Sequence, residues 1–195
     1  MTEGLADSRN DATDRHVRLY AANASGGAGL VLTGNAMVDR RHLERARNVV
    51  VDAASDESAL RRWAEAASGT VTLVQIAHPG RQANRIVQPR PLSPSGGPAV
   101  ALAGAFARPR AMTLDEIREV RTRFVDAAAR LVEAGFPGIE LHAAHGYLLS
   151  TFLDPRHNQR ADSYGGNLGG RARLLLEIVE GLRARLPSSA VVAVK

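Results

Sequence analysis

Cysteine is absent from the 195 residues, which excludes a disulfide framework, a thiolate zinc or iron–sulfur site and a cysteine nucleophile. Lysine occurs once, at Lys195, so almost all of the positive charge is arginine. Aromatic residues make up 4% of the chain, and none interrupts the densest basic stretch, Asp39–Arg47, to offer a stacking platform for a base. No apolar run approaches the roughly 20 residues needed to span a bilayer. The opening MTEGLADSRNDATDRH is acidic and polar, where a secretory leader needs a basic start and an apolar stretch. These absences give the expectation of a cytoplasmic protein without membrane contact.

What is present is ordinary for a folded globular chain: 45% hydrophobic and 23% charged residues. Its length suits a single domain over residues 1–195 with a sizeable core. The net charge of +5, from 25 basic and 20 acidic residues, comes from arginines scattered among acids. Clustering rather than total charge marks a phosphate-binding surface, so no nucleic-acid partner is expected.

Four short apolar runs read as strands: Gly29–Thr33, Val71–Ile76, Gly138–His142 and Ala190–Lys195. None alternates cleanly, which suits parallel strands covered on both faces. Helical stretches lie between them. Asp14–Ala24 follows a candidate N-cap, Thr13. Asp56–Ala67 carries Leu60, Trp63 and Ala67 on one face. Thr113-Leu114-Asp115-Glu116 has the form of a capping box before a long amphipathic helix ending at Gly135. A fourth helix runs from about Gly170 to Leu186, before Pro187. The class is therefore α/β with parallel strands, either an open doubly wound sheet or part of a closed eight-stranded barrel. Gly26-Gly27-Ala28-Gly29 precedes its strand and lacks the dinucleotide-binding spacing; it is expected to let helix and strand pack closely. His78–Met112, proline-rich and without periodicity, is too long for an ordinary connection and leaves the C-terminal end of a strand, where α/β proteins place ligands.

The residues best suited to chemistry are His142, His145 and Tyr147, just after the third strand. Two imidazoles and a phenol could polarise a carbonyl oxygen and supply a proton; equally, the histidines could be satisfied structural groups at a strand end. A metal site there lacks a third ligand, and none is expected. Gln75 is an amide inside an apolar strand and needs a partner, whether backbone or an amide-like heterocycle edge. Arg81 follows the same strand, where it could meet an anion. Lys195 closes the last apolar run. Arg160–Gly166 reads as a structural connection.

The stretch AGFPGIELHAAHGYLLSTFLDPRHNQRADSYGGNLGGRARLLLEIVEGLR resembles the core of the Old Yellow Enzyme family of FMN-dependent NAD(P)H oxidoreductases. GGAGLVLTGNAMVDRR, LVQIAHPGRQAN, PLSPS and PRAMTLDEI resemble further segments of that family in the same order, so the resemblance runs from about Ala12 to Lys195. It implies a (β/α)8 barrel, of which this chain holds about strands two to five. The first strand and the C-terminal half are outside it, together with the phosphate site that such barrels build after strands seven and eight. It implies FMN at the C-terminal mouth and NADH or NADPH as reductant. His142 and His145 match the pair that binds the substrate oxygen, with Arg81 a further substrate contact, and Tyr147 matches the proton donor. Gln75 matches the glutamine on the flavin pyrimidine edge, Lys195 the cation beside the electron-rich end of the ring, and Gly34 and Asn35 fall near the ring. The implied reaction is ping-pong: a nicotinamide reduces the flavin, and hydride then passes to the β-carbon of an α,β-unsaturated carbonyl compound while Tyr147 protonates the α-carbon. The alternative is a catalytically inactive remnant or interaction fragment that cannot retain FMN unaided. In either case the open sheet edges imply self-association. Gly169 and Gly170 depart from the family's usual Glu-Asn and are expected to weaken the start of the last helix.

Overall fold

The computed structural model describes residues 2–195. Helix α1 (Asp14–Ser25) precedes strand β1 (Leu30–Leu32) and the two-residue β2 (Ala36–Met37); α2 (Glu57–Ala66) and β3 (Val71–Ala77) follow. After a long connection holding β4 (Leu92–Ser93) and β5 (Arg110–Ala111) come α3 (Leu114–Ala134), β6 (Gly138–Leu141), α4 (Leu148–Leu153), α5 (Leu168–Arg185) and β7 (Val191–Val194). All pairings in the main sheet are parallel, in the order β1-β3-β6-β7, with β2 also on β3. Spatial order follows chain order without reversal. A doubly wound sheet requires a point where the order reverses, so the architecture is an incomplete (β/α)8 barrel.

The helices start where side chains can satisfy their free N–H groups. The Thr13 hydroxyl accepts from Arg15 N, the Asp56 carboxylate from Ser58 N and Ala59 N, and Thr113 and Glu116 form a reciprocal capping box. On α3, Ile117, Val120, Phe124, Ala127, Ala128 and Leu131 are buried, and they pack with Val74, Ile76, Ile139 and Leu141 from one face of the sheet. Each large aliphatic side chain so buried contributes roughly 1.5–3 kcal/mol. Trp63 joins α2 to Tyr20 and Phe136 at ring separations of 5.5 and 5.2 Å.

Side chains alternate along a strand, so the register assigns the opposite face. Leu30 pairs with Val71, Leu32 with Leu73, Gln75 with Glu140, and Glu140 with Ala193. That face corresponds to the barrel interior. Its apolar end is open, with Leu30 53% and Val191 41% exposed, while its polar end gathers Gln75, Glu140 and His142.

Several elements differ from the sequence expectations. The His78–Met112 segment is ordered by a 3-10 turn at Gly80–Gln82 and by the β4–β5 ladder. These pieces are too short to leave a periodic signature. Arg160 holds the segment down, its Nη1 donating to Pro94 O and Met112 O, both at 2.7 Å; Arg160–Gly166 is structural, as expected. The close packing expected at Gly26–Gly29 is absent: nothing lies within 4 Å of a Cβ at Gly27 or Gly29, and Gly27 serves a turn at φ +80°. The last helix starts at Leu168 rather than about Gly170, because Asn167 Oδ1 accepts from Gly170 N. A Cβ at Gly170 would lie 2.0 Å from Gly165 O; the absence of a side chain permits the approach.

Candidate functional site

The C-terminal ends of β3 and β6 lie side by side and place Gln75 next to Glu140, two residues before His142. Gln75 is buried, its backbone N–H donates to Thr33 Oγ1 at 3.1 Å and its Nε2 to Glu140 Oε2 at 2.5 Å. Its other amide atom, Oε1, is buried without a partner, as is His142 Nδ1. Buried polar atoms are almost always paired; these are two of seven unpartnered ones among the described residues, and they lie at adjacent strand ends.

His142 extends β6, its N–H donating to Ile76 O at 3.0 Å. Its ring lies 5.2 Å from that of His145 and edge-on to Tyr147 at 4.7 Å. Burial, then the neighbouring His145, pushes the His142 pKa down to about 4. The ring is therefore neutral near pH 7 and offers one N–H. His145 is exposed and sits at φ +59°, unusual for a residue with a side chain. Its carbonyl accepts from Gln82 Nε2 at 2.7 Å, which holds this turn in place. Tyr147 is the N-cap of α4 and is buried. Burial, then the negative Glu44, raises its phenol to about 12, so it keeps its proton at neutral pH. Asn35 Nδ2 donates to the Tyr147 hydroxyl at 3.2 Å.

Of the residues singled out from sequence, His142, His145, Tyr147, Asn35 and Gln75 are brought to this end of the sheet. Lys195 follows β7, with its N–H on Leu141 O and its carbonyl accepting from Ala143 N; its side chain is exposed and close enough to His142 to depress it further. Gly34 donates its N–H to Glu3 Oε1 at 3.0 Å and to the Tyr20 hydroxyl at 3.2 Å. Arg81 donates one Nη2–H to Pro98 O at 3.0 Å in the long connection, while its Nε is buried without a partner.

Sequence reasoning missed Glu140. A carboxylate inside the apolar run GIELH carries the same signal as Gln75, a buried polar group in need of a partner. It also missed a buried cluster of Asp39, His42 and His78, whose ligand-type atoms lie within 4.8 Å of one another. Gly80 N–H donates to His78 Nδ1 at 3.0 Å, and the Gln88 amide nitrogen lies 3.2 Å from His42 Nε2. In the neutral rings the remaining nitrogens, His78 Nε2 and His42 Nδ1, therefore carry the protons. Asp39 is already bound bidentately by Arg41, with Arg123 at 3.5 Å. Burial pushes its carboxyl up, but His42 and Arg41 outweigh this and hold it well below the usual carboxylate range. The cluster presents protons rather than lone pairs at the point where a cation would sit.

A groove against α3 is lined by Glu57, Glu119, Arg123 and Arg130, among others. These are already paired with one another, Arg123 with Glu119 and Arg130 with Glu57.

Comparison with known proteins places this geometry. The family model for NADH:flavin oxidoreductase / NADH oxidase matches residues 1–195. An NADH-dependent flavin oxidoreductase of Hypocrea jecorina is 38% identical over 215 aligned residues, covering 100% of this chain and 53% of the relative. Among solved structures, the old yellow enzyme homologue from Zymomonas mobilis superposes with a TM-score of 0.89 at 28% identity, over 100% of this chain and 56% of that one. Morphinone reductase in complex with tetrahydroNAD gives 0.87 at 26% identity, over 100% and 57%. The chain spans about half the length of these relatives. Among the described residues, no helix is long and apolar enough to cross a membrane.

Proposed function

The chain belongs to the NADH:flavin oxidoreductase / NADH oxidase family, and from that premise we propose that it carries the substrate-facing half of an FMN-dependent NAD(P)H oxidoreductase of Old Yellow Enzyme type, acting on the activated C=C bond of α,β-unsaturated carbonyl compounds. The observation that supports this best is the pair of buried, unpartnered atoms, Gln75 Oε1 and His142 Nδ1, at the strand ends where barrels of this kind bind ligands. The residues fit a flavin. The Gln75 amide matches the alternating donors and acceptors of the pyrimidine edge, and the exposed Lys195 ammonium at the end of β7 suits the electron-rich end of the ring.

FMN, when bound, would supply the hydride for the β-carbon. This chain's own residues do the rest. His142 and His145 donate hydrogen bonds to the carbonyl oxygen and stabilise the negative charge that develops there. The neutrality of His142 suits a donor that polarises without giving up its proton. Tyr147, held protonated by burial and by Glu44, gives its proton to the α-carbon.

The test is reconstitution of the chain with FMN, followed by NADH- or NADPH-dependent reduction of 2-cyclohexenone. Bound yellow flavin and turnover that falls roughly 10²–10⁴-fold in Tyr147→Phe are expected, the usual contribution of a positioned general acid. Colourless protein would instead support the reading of a segment that does not retain FMN unaided, and full turnover in Tyr147→Phe would remove the phenol from the mechanism.

A further inference from the structure

Glu140 has no part in the chemistry above, yet it is 6% exposed on the interior face of the sheet and in direct contact with the residue assigned to the flavin edge. Register makes this contact unavoidable. Gln75 and Glu140 are direct partners across the β3–β6 ladder, and side chains of paired residues project from the same face within reach of one another.

Glu140 Oε2 accepts from the Gln75 amide, and an amide has one donor end and one acceptor end. Glu140 therefore decides which way the Gln75 amide turns. The Nε2 end faces Glu140 Oε2 at 2.5 Å, and the carbonyl oxygen is directed away from it, where it is buried and has no partner. The backbone of Gln75 is fixed as well, by its N–H to Thr33 Oγ1, so the side chain cannot exchange its ends by a shift of the strand. A free amide would present donor or acceptor to a ligand with equal ease; this one presents an acceptor.

We propose that Glu140 is a positioning residue that locks the Gln75 amide with Oε1 toward the ligand, and that the site thereby selects a heterocycle edge offering an N–H at that point. The identity of the ring as a flavin rests on the function proposed above, whereas the locking of the amide does not. In a flavin the matching group is the ring imide N–H, with the second Nε2 proton of Gln75 left for the adjacent ring carbonyl. A ring methylated at that nitrogen offers no proton and meets Oε1 with a methyl group instead.

Two measurements on this chain test the proposal. In the ligand-free protein, side-chain amide NMR should show one Gln75 Nε2 proton shifted downfield and slow to exchange, as expected for a buried bond to a carboxyl oxygen. Glu140→Ala should abolish that signature, while Glu140→Gln, whose own carbonyl can accept, should retain most of it; circular dichroism confirms that both variants fold. An ordinary, fast-exchanging Gln75 amide in the parent chain, or one indifferent to Glu140→Ala, overturns the proposal. In the second measurement, lumiflavin should bind about tenfold more tightly than 3-methyllumiflavin, the scale of one well-made hydrogen bond, and that ratio should approach one in Glu140→Ala. A ratio that survives the substitution also overturns it. If neither flavin binds while the amide signature depends on Glu140, the chain does not retain a flavin unaided and the positioning role stands.

Discussion

Gly80 offers a sharp test of how the site is braced. It sits at φ +57°, and a Cβ there would lie 3.0 Å from Leu148 Cα and 3.1 Å from Leu148 N. Leu148 is the first residue of α4; its N–H donates to His78 O at 3.0 Å, and Tyr147 immediately precedes it. Substitution by alanine has two separable consequences. Holding a side-chain-bearing residue in the left-handed region costs about 1–2 kcal/mol, and forcing backbone away from a new methyl group costs about 1–3 kcal/mol more. Gly27 isolates the first effect, because it sits at φ +80° with nothing within 4 Å of its Cβ position. Gly27→Ala should therefore lower stability by about 1–2 kcal/mol and Gly80→Ala by about 2–5 kcal/mol. For a chain of this size each kcal/mol moves Tm by roughly 2–4 °C, so thermal unfolding followed by circular dichroism resolves the two. Gly80→Ala should also disturb the edge-on contact of Tyr147 with His142, visible as a change in the Tyr147 ring resonances, whereas Gly27→Ala should not. Equal losses in the two variants, or a smaller loss at Gly80, would refute the claim that the Gly80–Leu148 approach positions the phenol.

Three further outcomes are expected. Burial, then their charged neighbours, holds His142 down to about 4 and His78 well below its usual value; the unfolded chain protonates both near pH 6.5 and the folded chain does not, so stability is fully present above that pH and falls as pH drops from 6.5 toward 4, by up to about 1.4 kcal/mol per unit for each histidine. Urea midpoints between pH 7.5 and 5 check this, and a flat profile over that range would contradict the burial of both rings. Arg160→Ala removes both bonds to Pro94 and Met112, and limited proteolysis should then cut within residues 84–108 several-fold faster with little change in the far-ultraviolet spectrum. Zinc added at micromolar concentration should leave Tm unmoved, because the Asp39, His42 and His78 atoms that face one another are protonated or already bound by Arg41; a rise of several degrees that disappears in His42→Ala would show that the ring tautomers are wrongly assigned.

Much of this molecule is legible in its sequence. The four main strands, the long helices and the caps at Thr13 and Thr113 follow from local periodicity and from side chains that satisfy their own helix ends. The grouping of His142, His145 and Tyr147 is legible too, because six residues of chain at a strand end cannot separate them far. Short elements such as β2, β4, β5 and α4 leave no repeat to read. The approach of Gly165 O to Gly170, which leaves no room for a side chain, is likewise not visible in the sequence. That Gly34 meets Glu3 and Tyr20, and Arg81 meets Pro98, is invisible in the sequence because those partners lie far along the chain.

The choice between a doubly wound sheet and a barrel shows the same division. Alternation of strand and helix is written along the chain and determines the class, whereas the order in which strands pair depends on contacts between residues far apart in sequence. Only the folded chain sets Gln75 against Glu140, 65 residues later, or Asn35 against Tyr147, 112 residues later. Hydrophobic periodicity acts over one or two turns of chain and so could be read in advance. The direction in which a buried amide or phenol points is set by whichever distant donor or acceptor the packing brings within 3 Å, and that the tertiary structure alone decided.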